Sequence, residues 1–154
     1  MPGAPLSVRL RPIAAALLLA LLSSTACTSD DSPTAAEAGQ TLKKHVLQLL
    51  KERNAQNVSI TDPGGKNIPC GDGKAKQTFA ATGEDLASRT TPENIRAALL
   101  GAVERVATYE VVDASALSNP VHVVNESTRT ELVLDAADNG IYLVSGETTC
   151  LSAA

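Results

Sequence analysis

"RTELVLDAADNGIYLVSGETTC" runs from Arg129 to Cys150. Alternation places Thr130, Leu132 and Leu134 on one side of an extended chain between Arg129 and Ala136. Asp138-Asn139-Gly140 is a hairpin turn sequence. Ile141 to Thr148 then returns as a second strand, and Cys150 lies just past its end. Upstream, Val121–Asn125 and Tyr109–Asp113 read as further strands, separated by a loop ending at Pro120. The last third of the chain is therefore a run of strands, the later ones joined as a hairpin.

Before these strands the period changes to that of a helix. Thr91-Pro92-Glu93 offers an N-cap, a proline at the first helical position and an acid in the first turn. Ile95, Ala98, Leu99, Ala102, Val103 and Val106 then line one face to about Ala107, with Glu93, Arg96, Glu104 and Arg105 opposite. A second helix starts at the capping box Thr34-Ala35-Ala36-Glu37. Ala38, Leu42, Val46, Leu49 and Leu50 carry it to about Arg53, and His45 falls at the border of the apolar face as a structural residue.

Between the helices, Val58 and Ile60 share one face of a short strand, and Lys76–Thr82 reads as another, with Phe79 its one large residue. Asp62 to Lys74, "DPGGKNIPCGDGK", holds four glycines and two prolines and reads as a loop. The order α-β-β-α-β-β-β-β predicts an α+β fold: an antiparallel sheet of about five or six strands with two amphipathic helices.

The N-terminus has another character. Arg9 and Arg11 precede the apolar run Ile13–Leu22, and Ser24-Thr25-Ala26 puts small residues before Cys27. This is the layout of a signal peptide, residues 1–26. The apolar run is shorter than the roughly 20 residues a membrane span needs. Ordinary signal peptidase cleavage is one reading. The other is a lipobox, with Cys27 lipidated and residues 27–36 a small, acidic, Pro-containing tether to a single domain, 37–154.

The chain has three cysteines, an odd number for an exported protein. Lipidation of Cys27 removes the odd one and leaves Cys70 to pair with Cys150. Removal of residues 1–26 takes away Arg9 and Arg11 and no acid, leaving 11 basic residues against 17 acids and a net charge of −6. Such a chain does not suit nucleic acid as a partner. Three aromatics, Phe79, Tyr109 and Tyr142, are too few for a stacking platform.

No motif commits the chain to a reaction. Gly65-Lys66 and Gly73-Lys74 lack the phosphate-loop spacing, and Asp72 lacks that of a calcium loop. Neither Cys70 nor Cys150 has a CxxC neighbour. His122 has Glu126, Glu131, Ser127 and Thr128 near it in sequence, but no nucleophile motif. No cofactor, metal or catalytic residue is expected.

Cys27, "IPCGDGK" and "GETTC", in this order of tether, helix, loop, helix and strands, resemble small lipoproteins of the actinobacterial cell envelope. The resemblance implies a protein anchored in the cell membrane by lipid, facing outside the cytoplasm, with Cys70 and Cys150 joined. It carries over no active-site residue. The expected function is a tethered interaction or accessory module for an envelope protein. Its candidate recognition loop holds Gly64, Gly65, Lys66, Asp72 and Lys74, pinned by the disulfide. The alternative is a carrier of a small apolar ligand between helices and sheet.

Overall fold

The hairpin predicted from Asp138–Gly140 forms the middle of the sheet. The computed structural model describes residues 32–87, 89–113 and 116–153, which belong to one unit spanning residues 31–154. Its elements are α1 (Ala35–Glu52), β1 (Gln56–Asp62), β2 (Ile68–Gly71), β3 (Lys74–Lys76), β4 (Thr78–Glu84) and α2 (Pro92–Val103). They continue with β5 (Glu110–Asp113), β6 (Val121–Asn125), β7 (Thr130–Ala137), β8 (Ile141–Thr148) and β9 (Leu151–Ser152). Six strands make one antiparallel sheet in the order β1-β4-β8-β7-β6-β5. The class is α+β, as expected.

α1 begins where its capping box directs. Thr34 Oγ1 accepts from the Glu37 amide, and the Thr34 amide donates to Glu37 Oε2 at 2.9 Å. The helix thus starts inside the span read as tether, and Ala35 is already buried. α2 ends at Val103, short of Ala107, in a turn through Glu104–Val106. Both helices pack on one face of the sheet. Leu42, Val46, Leu49 and Leu50 of α1 and Ile95, Leu99 and Val103 of α2 meet Phe79, Tyr142, Val144, Leu132, Leu134, Val121 and Val123. Gly146 permits the close approach of α1: a Cβ there would stand 2.8 Å from Leu42 Cδ1 and 2.8 Å from Leu132 Cδ2.

Val58 and Ile60 lie on the expected strand, β1, and are 46% and 47% exposed, because β1 is an edge strand that α1 and α2 do not cover. Two expectations are corrected. Arg96, assigned to the polar face of α2, is buried. Its Nε donates to Asp135 Oδ1 at 2.9 Å, and Nη1 donates to the carbonyls of Leu117 and Ser118 at 2.9 and 3.2 Å. The guanidinium is buried because it satisfies the loop leading into β6.

The second correction concerns residues 62–74. Their second half is a hairpin, β2–β3, which pairs with β9 in a separate three-stranded sheet. Prolines and glycines hid these strands, since pairing rather than propensity makes them. A small cluster of Ala35, Ala38, Ala75 and Leu151 ties this sheet to α1.

Candidate functional site

Side chains alternate along a strand, so the register defines the face opposite α1 and α2. One row across it runs Thr78, Glu147, Glu131, Val124 and Glu110. The next runs Asp62, Ala80, Ser145, Val133, His122 and Asp113. Small side chains occupy the centre, and longer ones stand around them. The result is a hollow of about 440 Å³, with Ala80, Ser145 and Val133 in its lining and Asp62, Thr78, His122, Glu131 and Glu147 around it. A second hollow of about 260 Å³, lined by Thr82, Leu143 and Asp135, shares Ala80, Val133 and Ser145 with it.

The polar groups around the hollow are held in place. Thr78 Oγ1 donates to Asp62 Oδ2 at 2.6 Å, and the Gly64 amide donates to Asp62 Oδ1 at 3.0 Å. The Thr78 bond, then the Gly64 bond, hold the Asp62 carboxyl below its ordinary pKa. Lys76 Nζ reaches Glu147 Oε2 at 2.7 Å, and His122 Nδ1 lies 3.2 Å from Glu131 Oε1. Glu131 and Glu147 are register partners, two like charges directly opposite.

Cys70 and Cys150 form a disulfide, with Cα atoms 6.0 Å apart. It joins β2 to the residue before β9 and pins the segment as expected. The structure divides the candidate recognition loop. Gly64 and Gly65 adopt φ of +66° and +77° ahead of β2, where they line a hollow of about 170 Å³ with Gln40, Lys43 and Gln77, and Lys66 follows them, exposed. Asp72 lies in the β2–β3 turn and Lys74 opens β3, both exposed at the other end of the hairpin. Lys76 turns away from this group to Glu147. Cys27 lies outside the described residues.

Of the residues weighed beside His122, Glu131 comes to it. Ser127 Oγ donates to Asn125 Oδ1 at 2.7 Å, within the β6–β7 turn. His45 is buried on the core side, its Nδ1 2.8 Å from Tyr109 Oη, which lies 2.9 Å from Thr130 Oγ1. Burial, with the nearby Lys44 charge, lowers the His45 pKa, and burial pushes Tyr109 up to about 12. Among the described residues no group of three His, Cys, Asp or Glu side chains is placed to hold a metal ion.

Sequence reading passed over Asp62, Ser145 and Glu147. A signal existed in the hairpin itself: the register that pairs Ala137 with Ile141 also pairs Glu131 with Glu147. Asp62 was not so accessible, because β1 joins β4 only in the folded sheet. The fold and this face define a two-layer α+β module with one sheet face that α1 and α2 leave uncovered. No protein-family model matches the chain, and no curated protein or solved structure is significantly similar to it.

Proposed function

We propose that this protein is an extracytoplasmic interaction module, anchored by lipid on Cys27, that binds an envelope protein through the open face of its sheet. The observation that carries the docking reading is the asymmetry of the six-stranded sheet. Two helices cover one face, and the other presents adjoining hollows of about 440 and 260 Å³ over Ala80, Ser145 and Val133. The anchoring reading rests on the sequence before Cys27. No helix among the described residues is long and apolar enough to cross a membrane.

The carrier reading draws no support from the layer between helices and sheet. There Leu42, Leu49, Phe79, Leu99, Leu132 and Tyr142 are at most 1% exposed and fill the space.

A photo-crosslinking side chain at Ser145 tests the docking face, with one at the exposed Lys51 of α1 as control. Capture of the same envelope protein from Ser145 and not from Lys51 is expected. Capture from both or neither sinks the reading. Anchoring is tested separately by phase partitioning. Wild type is expected in the detergent phase and Cys27→Ala in the aqueous phase, since two or three acyl chains anchor stably. An unacylated wild type in the aqueous phase replaces anchoring with simple secretion.

A further inference from the structure

Resting on the docking reading above, we propose that the open face receives a lysine- or arginine-bearing segment of the partner protein. The first argument is charge. Glu110, Glu131 and Glu147 share one row of the face, Asp62 ends the next, and Asp135 follows. Among the described residues Lys76 sits on Glu147, Arg96 on Asp135 and the Lys66 charge acts on Asp62, which leaves acid in excess over permanent cations on this side of the sheet. An anionic surface or polymer is repelled here, and a cationic segment is drawn in.

The second argument is the Glu131–Glu147 pair. Like charges directly opposite across two strands work against the sheet, and here they stand at the edge of the hollow. A cationic head placed between them meets carboxylates carried on strands about 5 Å apart. The third argument is shape. Lysine and arginine carry an apolar stem behind the charge. Ala80 and Val133 offer an apolar floor beside those two glutamates. A stem lying on that floor brings its head to Glu131 and Glu147 together. The described residues provide no three-ligand metal arrangement, so a bare divalent ion fits the face less well.

The test follows backbone amide NMR shifts of the full chain on titration with a short peptide of alternating lysine and serine. The same peptide with glutamine for lysine is the control. Shifts concentrated at Thr78, Ala80, Glu131, Val133, Ser145 and Glu147 are expected, with no response to the glutamine peptide. E131Q combined with E147Q is expected to weaken lysine-peptide binding roughly tenfold while keeping or raising the thermal midpoint. That midpoint separates lost binding from lost folding. Shifts spread over the whole surface, equal binding of the glutamine peptide, or an unaffected double variant each overturn the proposal. A partner captured from Ser145 whose binding ignores E131Q/E147Q leaves the docking reading standing and removes the cationic segment. Peptide binding on this face without any capture from Ser145 removes the protein partner.

Discussion

Glu131 on β7 and Glu147 on β8 stand directly opposite each other on the face of the sheet away from α1 and α2. Lys76 relieves Glu147 at 2.7 Å, and His122 faces Glu131 at 3.2 Å. All four side chains are partly exposed, so solvent screens these contacts and neither ion pair contributes much. A sheet selected for stability alone would place opposite charges here. Glu131→Lys does so, and it is expected to raise unfolding free energy by about 0.5 kcal/mol in urea titration. The same variant is expected to lose the lysine peptide. A variant both less stable and still binding contradicts the argument.

Arg96 is the buried charge that holds α2 to the loop before β6. It serves Asp135 and the carbonyls of Leu117, Ser118 and Ala136. Arg96→Leu takes the guanidinium from those carbonyls and from Asp135, which keeps its bond from the Ala136 amide, and is expected to cost about 3 kcal/mol or more. Arg96→Lys is expected to recover only part, because an ammonium cannot reproduce the planar fork. Equilibrium unfolding of the two variants checks the order.

Gly146 sets the distance between α1 and β8. A Cβ there would fall inside the Glu131 carbonyl oxygen as well as against Leu42 and Leu132. Gly146→Ala is expected to destabilise by about 2 kcal/mol through overpacking. Gly65, whose added Cβ would meet nothing, separates space from backbone. Gly65→Ala is expected to cost about 1 kcal/mol, from its positive φ alone. Equal losses in thermal unfolding would undo the packing account.

His45 links stability to pH. Its folded pKa lies below the ordinary value of 6.5, chiefly through burial, so the unfolded chain binds the proton more readily. The neutral form's contribution is complete above 6.5 and is lost as pH falls from 6.5 towards the folded pKa. His45→Gln keeps a hydrogen-bonding group toward Tyr109 and removes the titration. Its unfolding midpoint is expected to change less than that of wild type between neutral and mildly acidic pH. Parallel curves would remove His45 from the acid response.

The Cys70–Cys150 disulfide closes a separation of 80 residues. In the chain-entropy account such a loop contributes about 4 kcal/mol. The double Cys70→Ser, Cys150→Ser variant is expected to lose stability of that order. Hydrogen exchange is expected to rise first in β2, β3 and β9, whose small sheet otherwise rests on Ala35, Ala38, Ala75 and Leu151. Uniform loss of protection would show that the bridge acts on the whole fold alone.

The elements with strong local signals were legible in the chain. Thr34 and Glu37 announced α1, Pro92 announced α2, and Leu132 and Leu134 announced β7 and its buried side. β2 and β3 were not legible. Pro69, Gly71 and Gly73 argue against strands, and the two elements exist because β9 pairs beside them and the disulfide holds them there. The same hairpin divides the candidate loop, sending Gly64 and Gly65 one way and Asp72 the other.

By itself the sequence determined the class, the two helices and the acidic character of the domain. These follow from period, capping and composition, all of them local or additive. The pairing of Cys70 with Cys150 was an expectation that the structure shows. Only the tertiary structure decided that Arg96 is buried, that Val58 and Ile60 are exposed, and that Asp62 of β1 meets the β7–β8 hairpin around one hollow. Period shows which residues share a side of a strand or helix. Which side is covered depends on where helices of limited width come to rest on a six-stranded sheet, and that is set by long-range packing.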